Sequence, residues 1–113
     1  MPKCIVIADD LNGANATGVL LKKMNYSAYT VLNAERLELS MLEQCDCVLY
    51  PTDSRGIDQD LAYRRVSNVC NLLKNEDTKV YGKRIDSTLR GNLGAEVDAM
   101  LESLGEDYVA IVV

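Results

Sequence analysis

The sequence contains no histidine, phenylalanine or tryptophan, so tyrosine supplies every aromatic ring. Without histidine, and with four cysteines that never form a C-x-x-C pair, the usual ligand spacing of a zinc site is missing and no metal ligand set is read. Cys4, Cys47 and Cys70 are read instead as small reduced core residues. No apolar run approaches the roughly eighteen residues of a membrane span, and Met-Pro-Lys leads straight into a strand pattern without a signal peptide, so cytoplasm and no membrane contact are expected. Positive charge is also scarce: the net charge of −5 argues against nucleic acid and anionic lipid as partners, and any bound anion must be gripped locally. Neither Gly-x-x-x-x-Gly-Lys-Ser/Thr nor Gly-x-Gly-x-x-Gly occurs, which leaves the chain without a recognisable loop for a nucleotide's phosphates.

What is present is ordinary globular material. At 113 residues, 48% apolar and 26% charged, the chain is read as one domain over 1–113 with a core of its own. No repeat, linker or low-complexity segment divides it.

Cys4 to Ala8 is a continuous apolar run, suited to a strand buried on both faces of a parallel sheet. It ends in Asp9-Asp10. Asn12-Gly13 breaks the run, and Thr17, Leu20, Leu21 and Met24 then predict the inward stripe of a helix. Ser27 to Leu32 reads as a second strand, followed by a short helix from about Ala34 to Gln44, capped by Asn33, with Leu37 and Met41 on one face. Cys47 to Tyr50 is a third strand, running into Pro51-Thr-Asp-Ser-Arg-Gly56. Asp58 is the predicted N-cap of a helix whose stripe is Ala62, Val66, Val69 and Leu73. Lys79 to Gly82 is a fourth strand. A further helix carries Leu93, Val97, Met100, Leu101 and Leu104, with Gly105 as its C-cap. Tyr108 to Val113 reads as a fifth strand lacking the element that should cover it, so the chain is expected to be a fragment. The predicted class is therefore α/β: an open, mainly parallel five-stranded sheet with helices on both faces, a truncated three-layer domain.

The stretch Val80-Tyr-Gly-Lys-Arg-Ile-Asp-Ser-Thr-Leu-Arg-Gly-Asn92 stands out, because a plain strand-to-helix turn has no need of Lys83, Asp86, Ser87 and Arg90 together. The plainer reading is that Asp86 or Ser87 caps a helix while both cations are solvated. Strand C-termini of a parallel sheet share one edge, so Asp9-Asp10, Asp53-Ser-Arg55 and Lys83 to Arg90 are expected to converge on one crevice. Acids there can accept hydrogen bonds from a polyol, and Arg55, Lys83 and Arg90 can hold a carboxylate or phosphate, a combination that suits a small hydroxy acid. Arg90, able to form two parallel bonds, is the expected carboxylate clamp unless it pairs with Asp86; Lys83, a point charge, is assigned to a phosphate or to Asp86.

Two resemblances bear on function. An acidic pair after strand one, Asp53 after strand three and a hydroxyl after strand four resemble the phospho-acceptor receiver domains of signalling proteins, which would use magnesium and make Asp53 the acceptor. Receivers carry a lysine after strand five, which this chain lacks. The second resemblance is longer. Ile7-Ala-Asp-Asp-Leu-Asn-Gly-Ala14 and Lys83-Arg-Ile-Asp-Ser-Thr-Leu-Arg-Gly-Asn-Leu-Gly-Ala-Glu96 are similar to two motifs of the four-carbon acid sugar kinases, and Thr52-Asp-Ser-Arg55 falls on a third.

That resemblance implies the amino-terminal, substrate-binding domain of a two-domain kinase whose ATP-binding domain is absent from this chain. It implies phosphorylation of a threonate- or erythronate-type acid with ATP and Mg2+, neither of which is expected to be held here. Asp9 and Asp10 would be catalytic, orienting or deprotonating the attacking hydroxyl. Asn12, Asp53, Ser54, Arg55, Lys83, Asp86, Ser87, Arg90 and Gly91 would bind substrate. Asn12 stands where the family usually has Thr, and Ala16 where an Asp is common, which bears on which acid is bound. A small-acid-binding module without chemistry, and a homo-oligomer, are left open.

Overall fold

Cys4–Ala8 forms the first strand, β1, and it lies inside the sheet because its five residues are apolar on both faces. The structure, a computed structural model, describes residues 2–32 and 39–110. In chain order the further elements are α1 (Leu11–Lys23), β2 (Ala28–Thr30), α2 (Leu39–Leu42), β3 (Cys47–Pro51), α3 (Gln59–Leu73), β4 (Val80–Arg84) and α4 (Leu93–Leu104). All pairings are parallel, in the order β2-β3-β1-β4.

Side chains alternate across the sheet and give each face its own core. On one face Val6, Ala8 and Leu49 pack with Ala14 of α1. On the other Ile5, Ile7 and Val48 pack with Val66, Val69, Cys70 and Leu73 of α3 and Ala99 and Met100 of α4. The three-layer arrangement expected from the sequence is thus present, with α1 on one side and α3 and α4 on the other.

Among the described residues the sheet has four strands, not five. Tyr108 to Ala110 adopt no strand, and 111–113 lie outside the described residues. Tyr108 approaches β4 through its ring, edge-to-face on Tyr81 with centroids 5.4 Å apart, and not through its backbone. The second strand is shorter than predicted. The fourth runs on to Arg84, because its register with β1 continues to Ala8.

Helix boundaries follow local chemistry. Asp10 caps α1, its Oδ1 accepting from the Gly13 N–H at 2.8 Å, so Asn12-Gly13 forms the first turn where a break was predicted. The stripe predicted for α1 is also corrected: Leu20 and Met24 are exposed, and the buried positions are Ala14 and Gly18, small enough for the helix to lie close on the sheet. Asp58 caps α3 as expected, accepting from the Asp60 N–H at 3.1 Å, and the predicted stripe of α3 is buried throughout. Gly105, at φ 98°, ends α4, its N–H donating to Leu101 O. The Asn33 cap and Leu37 lie outside the described residues; in α2 Leu42 is buried whereas Met41 faces outward.

All four cysteines are free. Burial pushes the Cys70 thiol up to about 11, and burial with Cys47 alongside does the same to Cys4. A thiol whose folded value lies above its unfolded one, 9.0, stabilises the fold below that pH and loses this contribution as pH rises through the folded value. Urea midpoints measured between pH 8 and 11 should therefore fall less steeply for the Cys4→Ala, Cys70→Ala double variant than for the native chain. Equal slopes would remove the thiols from the account.

Candidate functional site

The site is built on Arg55. After β3 the chain does not leave the sheet: Thr52 N–H donates to Ala8 O at 2.9 Å and Ser54 N–H to Asp9 O at 3.0 Å, so the turn clings to the end of β1. Asp53 reverses the chain with φ 51°, and Arg65 of α3 donates to the carbonyls of Thr52 and Asp53 at 3.2 and 2.9 Å. Arg55 is thereby aimed back across the strand ends. Its guanidinium grips Asp9 with two bonds of 3.1 Å and lies 3.3 Å from Asp10 and 3.6 Å from Asp86. Parallel strands bring the three turns to one edge, and this one side chain reaches all of them.

The third turn organises itself around Asp86, which is buried. Its Oδ2 accepts from the N–H groups of Thr88 and Arg90 and from the Thr88 hydroxyl, and Arg90 closes the turn with bonds of 2.9 and 3.0 Å. Arg90 and Thr88 together hold the Asp86 carboxyl well below the usual carboxylate range. Asn92 then fastens the start of α4 to the second turn, donating to Ser54 O at 3.1 Å and Ile57 O at 2.9 Å. The helix begins at Leu93, so Asp86 caps its own turn and not α4, and Ser87 is exposed.

Strand alternation separates the two neighbouring cations of β4. Lys83 points to the face covered by α4 and lies 3.4 Å from the buried carboxylate of Glu96. A Lys83 pairing with Asp86 is therefore replaced by one with Glu96. Arg84 points to the other face and lies across Gly13, where an added Cβ would come within 3.1 Å of its Cγ and 2.9 Å of Asp10 Oδ1. Its guanidinium has no ion-pair partner among the described residues.

Of the predicted site residues, the structure brings Asp9, Asp10, Arg55, Asp86, Arg90 and Gly91 into one cluster. Ser54 is closed off from solvent, its hydroxyl held by Thr52 and Glu96 at 2.6 and 2.7 Å. Asn12, Asp53 and Ser87 are exposed. Thr52 and Glu96 belong to this network and Arg84 borders it, although none of the three stood out in the sequence. Strand alternation at Lys83-Arg84 was the available signal for Arg84, whereas a lone acid on a helix reads as solvated. Among the described residues no group of three or more His, Cys, Asp or Glu side chains is arranged to hold a metal ion, and no helix is long and apolar enough to cross a membrane.

The chain is similar to several known proteins. It is 46% identical over its whole length to the D-erythronate kinase of Heliobacterium modesticaldum, covering 26% of that protein. It is 36% identical over 89% of its length to the D-threonate kinase of Salmonella typhimurium, covering 23% of it. It thus spans about a quarter of the length of these relatives. A solved domain from Bordetella bronchiseptica, crystallised with bound citrate as a domain-swapped dimer, superposes with a TM-score of 0.87 at 27% identity, over 96% of this chain and 27% of that one. The family profile described as "Sugar-binding N-terminal domain" matches residues 4–113, and the chain belongs to that family.

Proposed function

We propose that this domain binds a four-carbon sugar acid of the erythronate or threonate type and presents one of its hydroxyls for phosphorylation by ATP and Mg2+. The relatives' names support the substrate class. The observation that carries the reading is the Arg55 hub, which sets three carboxylates beside two guanidiniums at the strand ends. Carboxylates accept from a polyol's hydroxyls, and guanidiniums pair with its carboxylate. The chain covers about a quarter of the length of its kinase relatives, and ATP and Mg2+ are assigned to the remainder of the enzyme. The receiver reading falls with the family assignment.

Within the cluster the roles divide by exposure. Asp9 has both oxygens in the grip of Arg55 and its side chain is only 5% exposed, so it serves as the anchor. Asp10 is more open and is the better placed to orient a hydroxyl, a contribution of alignment more than of base strength. Arg90, with its side chain 68% exposed, can turn from Asp86 to a carboxylate, since Asp86 keeps Arg55 and the N–H groups of its own turn. Arg84 supplies a second cation on the same strand ends. The citrate of the Bordetella domain, another hydroxy acid, supports a carboxylate-binding role, and that domain's dimer is the support for a homo-oligomer. Free thiols throughout support a reducing, cytoplasmic setting.

Calorimetric titration of the chain with D-erythronate, D-threonate and ATP tests the division of labour. A sugar acid should bind and ATP should not. Clear ATP binding, or heat from neither acid, would overturn it.

A further inference from the structure

Glu96 sits in α4 at 1% exposure, where no ligand can touch it. Its Oε1 accepts from Ser54 Oγ at 2.7 Å and lies 3.4 Å from Lys83 Nζ. Ser54 Oγ is in turn 2.6 Å from Thr52 Oγ1, which donates to Ala8 O at 3.1 Å. One helical turn before Glu96, Asn92 donates to the carbonyl of the same Ser54 at 3.1 Å. Residues four apart on a helix share a face, so α4 grips Ser54 twice, by hydroxyl and by carbonyl. The next residue is Arg55.

Stability alone is a weak reason for this arrangement. A buried ion pair seldom outperforms apolar side chains of the same volume, because desolvating both charges offsets their attraction. What the arrangement does accomplish is geometric: Glu96 and Asn92 hold the hydroxyl and the carbonyl of the residue that precedes Arg55.

We propose that Glu96 is a positioning residue of the sugar-acid site, acting through Ser54 to hold the Arg55 guanidinium in its two-bonded grip on Asp9. The proposal rests on the reading of the site as a sugar-acid site, and its test separates the two. The Arg55 Nε–H donates to Asp9 Oδ2 at 3.1 Å, and its hydrogen exchange followed by NMR reports that grip without any ligand.

In the 113-residue chain, Glu96→Gln, which keeps the volume and removes the charge, should speed this exchange about tenfold or more, the effect of one charged hydrogen bond at roughly 1.4 kcal/mol per tenfold. It should weaken D-erythronate binding by a similar factor. In an Arg55→Lys background, where two-bonded geometry is already lost, the same substitution should change affinity less than about threefold. Ser54→Ala cuts the same link while leaving Glu96 paired with Lys83, so it should reproduce the effect and serves if Glu96→Gln does not fold. Unchanged exchange in both variants, or equal losses of affinity in both backgrounds, would make Glu96 scaffolding. Native exchange protection without D-erythronate binding would instead sink the ligand reading and leave the exchange comparison to decide on Glu96.

Discussion

Replacing Arg55 with alanine is expected to weaken sugar-acid binding by roughly two orders of magnitude or more, since charged hydrogen bonds are the strong ones and a multiple grip is lost at once. The damage extends beyond the ligand. Arg55 stands among Asp9, Asp10 and Asp86, so its removal leaves like charges facing one another with Arg90 as the remaining counter-ion of Asp86. Leaving a buried charge uncompensated is far costlier than never having had the pair. The pH dependence should therefore change sign. In the native chain Asp86 is held below its ordinary value, so its contribution is present above the unfolded carboxylate pKa, about 4, and is lost progressively as pH falls from there through the lower folded value. In the variant, protonating a carboxylate relieves repulsion, so melting temperature should rise as pH is lowered from 7 towards 5. Arg55→Lys should recover little, because an ammonium cannot reproduce the two parallel bonds to Asp9. A variant that kept native affinity and a native pH profile would remove Arg55 from the centre of the site.

Gly91→Ala should cost about 1–3 kcal/mol from backbone strain alone, for Gly91 adopts φ 97°, where an L side chain is disfavoured. The added Cβ would also stand 3.1 Å from Arg55 Cγ and 3.3 Å from Asp9 Oδ2, tight against the ion pair it must not disturb. A fall in melting temperature of roughly 5–15 °C is expected for a domain of this size, together with loss of sugar-acid affinity. Gly94→Ala is the matched control. It lies three residues further on, inside α4, with nothing within 4 Å of an added Cβ, and should be neutral or gain up to about 1 kcal/mol. If the two substitutions behaved alike in a melting experiment, the close fit at Gly91 would not matter.

How far the sequence could be read depended on whether a residue's environment was local. β1 was legible because five consecutive apolar residues admit few other settings, and α3 because Ala62, Val66, Val69 and Leu73 repeat at helical spacing. The inner face of α1 was not. Leu20 and Met24 look like core, but a helix lying close on a sheet needs Ala14 and Gly18 beneath it, and that closeness is a tertiary fact. The gathering of Asp9, Asp10 and the Arg55 and Asp86 turns at one edge followed from parallel strands. Who pairs with whom did not, since Lys83 finds Glu96 only when α4 is laid over β4. Glu96 was invisible as a buried group because acids on helices usually face water. Among the described residues the fifth strand is missing because an apolar run such as Tyr108 to Ala110 has strand propensity without a guaranteed partner.

Strand order also sets a timetable. β1, made first, has as its neighbours β3 and β4, whose residues follow it by roughly forty to eighty positions, while β2 and β3 alone are neighbours in both sequence and space. Ile5 and Ile7 must wait, unpaired and apolar, until Val48 and Tyr81 have been synthesised and brought back across long loops, whose closure entropy has to be met before the ladder forms. The nascent domain is consequently most prone to aggregation while its future central strand is still an edge, although Asp9 can acquire its arginine as soon as β3 has docked.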